Sequence, residues 1–340
     1  MIINKKRCLF YILFASIACC LAFTEGNSEG IDVPKGWAKP AYDFSKNLLT
    51  KEKIALGRRL FYDPILSKDS TISCASCHLQ ATAFTHIDHD LSHGINNRIG
   101  KRNSPALVNL AWNTAFMWDG AVNQLDRQAL APMTNADEMG DTLPNILHKL
   151  QRSTRYKTYF NAAYNSTNIT TEGLLHALSA FMLTLVSANS KYDKVMRKTD
   201  SFNAYEAKGY AVFLKNCNSC HTAPLFTNNQ FENNGLQPDN FLLDSGRMGI
   251  TKQAADALKF KVPSLRNIEV SYPYMHDGRF KNLQMVVFHY TNTLYDSPTL
   301  SPILKTKITL SETDKINLIA FLKTLTDESF LQNKDFSYLP

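Results

Sequence analysis

Apolar positions recur at helical spacing in five stretches of this chain, and between them the pattern dissolves. Residues 50–63, TKEKIALGRRLFYD, open on a threonine suited to capping a helix and continue with apolar residues on one face. Residues 202–216, FNAYEAKGYAVFLKN, read as a second short helix. LPNILHKLQRSTRYKTYFNAAY (143–164) and TEGLLHALSAFMLTLVSA (171–188) are amphipathic and largely buried, and His176, Ser179 and Thr184 make the latter a core helix rather than a membrane span. SETDKINLIAFLKTLTD (311–327) starts at Ser311 with Asp314 three residues on, then sets Ile316, Ile319, Ala320 and Leu322 on one side. Strand signals are sparse and short, and 79–110 and 222–285 read as long loops. The class this predicts is mainly α, with few short strands.

At 340 residues the chain is long enough for one large or two ordinary domains, and 44% apolar with 20% charged residues is a globular composition. Its start changes the picture. Lys5, Lys6 and Arg7 precede an apolar run from Cys8 to about Phe23, followed by polar TEGNSEG, which is an export signal pattern over 1–26. Cys19 or Cys20 offers an alternative, a lipid-bearing residue of a bacterial lipoprotein, although Ser16 and Ile17 are weak residues to precede it. Removing the three leader cations takes the formal charge from +7 to +4. No stretch joins dense Lys/Arg to stacking aromatics, so there is no case for nucleic acid.

Three of the seven cysteines lie in this leader; the other four form CASCH (74–78) and CNSCH (217–221). A zinc ribbon needs its two pairs roughly 15–20 residues apart, whereas 140 positions separate Cys77 from Cys217. A thiol redox pair belongs beside alternating strands and helices, which are absent from the pattern. Two disulfides would leave the histidine after each pair unexplained. Covalent haem attachment explains every residue: two thiols add to two vinyl groups, and His78 and His221 follow as proximal iron ligands. The organisation fits two cytochrome c-like haem domains, 45–195 and 196–340, with no repeat beyond the two haem units.

Around these motifs the chain carries LGRRLFYDPILS, SCASCH, KRNSPALVN, MWDG, QALAPM, DEMG, KVPSLRN, YPYMHDGRF, VVFHY and IAFLKTL, in that order. In this, residues 50–328 resemble the bacterial di-haem cytochrome c peroxidase and MauG superfamily. The resemblance implies that the first haem takes hydrogen peroxide and the second passes electrons from a small donor protein such as a cytochrome c. It makes Glu138 the acid–base group of the peroxide pocket, with Gln128 as its hydrogen-bonding partner and Pro132 shaping the pocket, where the residues alone allow an acidic surface loop. It sets Trp118 between the haems, where a ring can also simply pack.

The resemblance also locates departures. Members that need prior reduction hold a distal histidine in the loop before the RN block, and here that position is Ile95, with His93 two residues away and His86 and His89 nearby. The far-side ligand of the second haem falls at Tyr290, as in MauG, where peroxidases commonly carry methionine; Met275, His276 and His289 are alternatives. A calcium ion is implied at the Asn103 side chain and the carbonyls of Ser271 and Pro273. Lys215 stands where MauG has the tryptophan through which it oxidises a partner protein. A homodimer and a periplasmic location complete what the family implies. A peroxidase leads; a MauG-like modifier of a partner protein and a plain di-haem electron carrier are the alternatives.

Overall fold

The computed structural model describes residues 30–87 and 89–339; the leader expected over 1–26 lies outside them. Helix α1 spans Lys51–Tyr62, with the Thr50 hydroxyl accepting from the Lys53 amide as its cap, and α2 is the single turn Cys74–Cys77. Short helices α3 (Leu125–Gln128) and α4 (Leu130–Thr134) follow a long loop. The stretch 143–164 divides at Ser153 into α5 (Leu143–Arg152) and α6 (Thr154–Tyr164), because Ser153 leaves the helical conformation to cap α6. Helix α7 (Thr171–Leu183) is buried on almost every side, and α8 (Lys191–Met196) leads out of the first half. No helix among the described residues is long and apolar enough to cross a membrane.

The second half repeats this plan. Helix α9 (Ala204–Asn216) runs into the second motif. A two-residue ladder, β1 (Phe231–Glu232) antiparallel to β2 (Phe260–Lys261), is the sheet of the described residues. Then come α10 (Met248–Thr251), α11 (Leu283–Asn292), α12 (Glu312–Lys323) and α13 (Glu328–Leu331). Ser311 and Asp314 form the expected capping box on α12.

Each half is closed by two helices in backbone contact. A Cβ at Gly57 of α1 would lie 1.8 Å from the Ala177 carbonyl oxygen of α7, and one at Gly209 of α9 would lie 1.9 Å from that of Asn317 in α12. Only glycine permits so close a crossing. The repeat goes further than the haem motifs. Phe116 bridges Val122 and Tyr274 bridges Phe280, closing two hairpins, Met-Trp-Asp-Gly and Met-His-Asp-Gly, in which Met117 (φ 68) matches Met275 (φ 75) and Gly120 (φ 71) matches Gly278 (φ 72). Asn109 and Asn267, both left-handed, keep the same spacing of 158 residues (275 − 117, 278 − 120, 267 − 109). The repeat is thus legible in these turns as well as at the haem motifs and the helix crossings.

Two cores result, one from Leu56 to Leu185 and one built on Tyr192, Phe213, Phe226, Phe321 and their neighbours. The chain end departs from the expected division at 196: Phe330 and Phe336 pack in the first core, not the second. Arg58 holds the carbonyls of Lys334 and Ser337, and the Tyr62 hydroxyl donates to that of Phe336.

Candidate haem sites

Both CxxCH motifs end in the same local geometry. His78 directs Nδ1 at the Phe84 carbonyl (2.7 Å), and His221 directs Nδ1 at that of Phe226 (3.1 Å). A carbonyl only accepts, so each Nδ1 carries the proton and each Nε2 keeps its lone pair for a metal. Phe84 and Phe226 are fully buried and adopt φ of 59° and 55°, a strain worth about 1–3 kcal/mol apiece. Its repetition at both motifs ties it to holding the histidines. Burial pulls His78 down to about 4 and lowers His221 as well, so both imidazoles stay neutral, as ligands must be. None of the four motif cysteines is in a disulfide, and desolvation pushes Cys74 and Cys217 up to about 12. Two free thiols and one oriented, neutral imidazole at each motif fit a covalently attached haem.

A cavity of about 290 Å³ lies between the halves. Its wall includes Cys217, Cys220 and His221 together with Met275 and Tyr290, and it reaches Asn103, Met117, Trp118 and Gln128 of the first half. The Tyr290 phenol is pushed up to about 12 by burial, with the Asn234 side chain opposing and the charges of Cys217 and Cys220 adding to the rise. Asn234 Nδ2 also donates to Met275 Sδ (3.3 Å). Tyr290 and Met275 therefore share one partner and one cavity. His289 is 2% exposed, with Nε2 on the Asn234 carbonyl (3.0 Å) and Nδ1 on the Thr293 hydroxyl (3.2 Å), so neither nitrogen is available to an iron. His276 stacks on Phe260 with ring centroids 3.6 Å apart.

In the first half, Glu138 is half-buried beside the first motif, and its charge contributes to raising both Cys74 and Cys77. Desolvation raises its own carboxyl, opposed by Asn135, whose Nδ2 donates to Oε1 (2.8 Å). The expected partner Gln128 instead directs its amide to Met117 Sδ (3.7 Å). Backbone bonds hold this pocket: the Ile95 amide donates to the Glu138 carbonyl (2.8 Å), and that of Met139 to Pro132 (3.1 Å). Ile95 is 5% exposed, with Cδ1 against Gly140. The His93 carbonyl lies 4.0 Å from Cys77 Sγ, while its ring turns to His89, centroids 4.7 Å apart. Trp118 lines the cavity and donates its indole N–H to the Asn103 carbonyl (2.8 Å).

The 158-residue repeat sets Pro132 of α4 opposite Tyr290 of α11 (290 − 132), with Leu125 opposite Leu283, both buried. Where the second half presents a phenol to its cavity, the first has a ring with neither donor nor acceptor. Asn135 and Asn234, each bonded to a named candidate, were not singled out from the sequence, since lone asparagines in loops carry no distinguishing spacing.

Residues 51–201 match the family model for di-haem cytochrome c peroxidases. MauG of Methylorubrum extorquens is 35% identical over 294 residues, covering 83% of this chain and 80% of that protein. Cytochrome c551 peroxidase of Nitrosomonas europaea is also 35% identical, over 280 residues, covering 80% and 79%. A crystal structure of a MauG-like protein associated with microbial copper homeostasis superposes with a TM-score of 0.83 at 32% identity, over 90% of this chain and 98% of that one. The chain is a haem oxidoreductase of the class defined by two c-type haems on a duplicated helical scaffold. Within that class it belongs to the di-haem cytochrome c peroxidase family, which takes in both the peroxidases and MauG.

Proposed function

We propose that the protein reduces hydrogen peroxide to water at the haem held by Cys74, Cys77 and His78, with electrons from a small donor protein entering through the haem held by Cys217, Cys220 and His221. The observation that carries this reading is the half-buried Glu138 beside the first motif, with Asn135 fixing one carboxylate oxygen. Bound haem supplies an iron that takes peroxide oxygen and exchanges electrons. The chain supplies the rest. Glu138, raised above the usual carboxylate range by burial, accepts the proton of the nearer peroxide oxygen and returns it to the departing one. Ile95 and Pro132 bring no ligating side-chain atom to the pocket, so neither would compete with substrate for a haem held by His78. Gln128 lines the shared cavity and holds the Met117 side chain. Trp118, hydrogen-bonded to Asn103, provides the aromatic bridge between the halves. Two electrons and two protons balance the conversion of one peroxide to two waters.

The far-side ligand of the second haem is Tyr290 in this reading, supported by its burial in the cavity beside Cys217 and Cys220. Calcium sits at Asn103 Oδ1 and the carbonyls of Ser271 and Pro273, three residues lining that same cavity; Asn103 Nδ2 is spent on the Asp90 carbonyl (3.1 Å), which leaves Oδ1 to face a cation. The protein works in the periplasm as a homodimer, and the mass of the mature N-terminus distinguishes a cleaved leader from a lipid on Cys19 or Cys20.

A second reading, MauG-like oxidation of a partner protein, is favoured by Tyr290 and opposed by Lys215, an exposed cation where an exit tryptophan would stand. The test is peroxide consumption by the oxidised holoprotein with reduced cytochrome c as donor. Turnover that scales with donor and is lost in E138Q supports the peroxidase. Rapid reaction with peroxide but no donor oxidation supports the second reading, and two low-spin irons inert to peroxide would mean an electron carrier.

A further inference from the structure

Enclosing an ammonium group in protein without an anion costs several kcal/mol, so such a lysine implies a missing partner. Lys261 approaches that condition: it is half-buried, in the wall of a cavity. Its backbone is pinned in β2, paired with Phe231 and donating to the Trp118 carbonyl (2.7 Å). The surface its side chain retains opens on the cavity that holds Cys217, Cys220, His221 and Tyr290. No carboxylate among the described residues pairs with it, and desolvation alone pulls it down to about 8. The neighbouring cations are engaged: Arg102 holds Asp119 and Asp244 (both 2.6 Å), Arg279 holds Asp277, and Arg247 lies over the Phe231 ring (3.8 Å). Lys261 is the one lysine or arginine among the described residues that lines the cavity.

We propose that Lys261 is the anion-binding point of this cavity, its ammonium pairing with a propionate carboxylate of the second haem. The inference rests on the di-haem reading and not on peroxide turnover. Lys261 acts here as a positioning and tuning residue. A cation beside the carboxylate favours the haem carrying one more electron, so removing the charge favours the oxidised form. Because its amide is bonded to Trp118, the same residue fixes the propionate edge against the bridge between the halves.

The test is a spectroelectrochemical titration of the holoproteins, wild type, K261Q and K261R, each checked by mass for two haems. K261Q is expected to weaken reduction of the second haem at least tenfold, a fall of about 59 mV for a one-electron couple, while K261R stays within about threefold of wild type. The propionate bending band in the resonance Raman spectrum is expected to move in both variants. An unchanged second-haem potential in K261Q, or a shift confined to the first haem, overturns the proposal. If K261Q does not mature with two haems, K261R decides: a propionate band identical to wild type overturns the pairing, because a guanidinium and an ammonium bond a carboxylate differently. A wild type that binds two haems but does not turn over peroxide refutes the peroxidase and leaves this comparison intact.

Discussion

Glu138 shows how little a side chain's identity says until its surroundings are known. An acid in TNADEMG reads as a loop charge; here desolvation raises its carboxyl and its charge reaches Cys74 and Cys77, which supports the acid–base role proposed for it. Replacing it with glutamine keeps the shape and removes the exchange, so E138Q is expected to lower kcat by about 10²–10⁴-fold with haem content unchanged. The raised carboxyl sets the sign of the acid limb in wild type. If Glu138 is the base, activity is expected to be full above its folded pKa and to fall as pH drops through it, at a pH raised from the ordinary carboxylate value, and that limb is expected to disappear from the residual activity of E138Q. Two further substitutions read the iron sites directly. I95H is expected to convert the first haem from high-spin to low-spin in the electron paramagnetic resonance spectrum of the oxidised protein and to make peroxide turnover depend on prior reduction. Y290F is expected to leave the second haem high-spin; a low-spin haem with raised potential would instead assign Met275 as its ligand. The motif residues were legible because cysteine, cysteine and histidine at fixed spacing carry their chemistry with them. Asn135, Asn234 and Lys261 were not, since their roles arise from what folds around them.

Among the elements, caps and apolar periodicity located six of the thirteen α-helices of the described residues, including the longest ones. Thr50, Asn203 and Ser311 all cap as their side chains allow, and α1, α9 and α12 fall within two residues of the pattern at their starts. The pattern could not see Ser153, which divides 143–164 because its hydroxyl competes for the α6 amide of Tyr156. Nor did it reveal the duplication of the hairpins, which survives in left-handed Met117 and Met275 and in the Asp-Gly that closes each turn rather than in helical periodicity. The helix crossings give this scale its sharpest test. G57A or G209A forces a methyl group into the facing backbone and is expected to destabilise its own half by about 1–3 kcal/mol, the range for overpacking. Differential scanning calorimetry should show a lowered transition in either variant, and an unchanged one would mean that the crossing relaxes.

Across the whole molecule, Arg266 joins parts that the halves contribute separately. Fully buried, it forms a bidentate pair with Asp193 (both 2.8 Å), donates to the Pro224 carbonyl (2.8 Å), and lies over the rings of Trp37 (4.6 Å) and Phe226 (5.7 Å). Burial of the Asp193 carboxyl is outweighed by these bonds, which hold it below its usual range. Its contribution is therefore full above about pH 4 and is lost as pH falls through the lowered folded value. D193N leaves the guanidinium unpaired and is expected to cost about 3–5 kcal/mol in urea unfolding, with less acid sensitivity than wild type.

The final stretch of chain has a consequence in time. Phe330 and Phe336 complete a core whose other members begin at Leu56, so that core closes only once the last residues of the chain are in place. Until the last dozen residues arrive, the rings of Phe330 and Phe336 are missing from the wall over Phe61 and Phe84. Phe84, whose carbonyl fixes His78, is therefore among the last of its core to be covered.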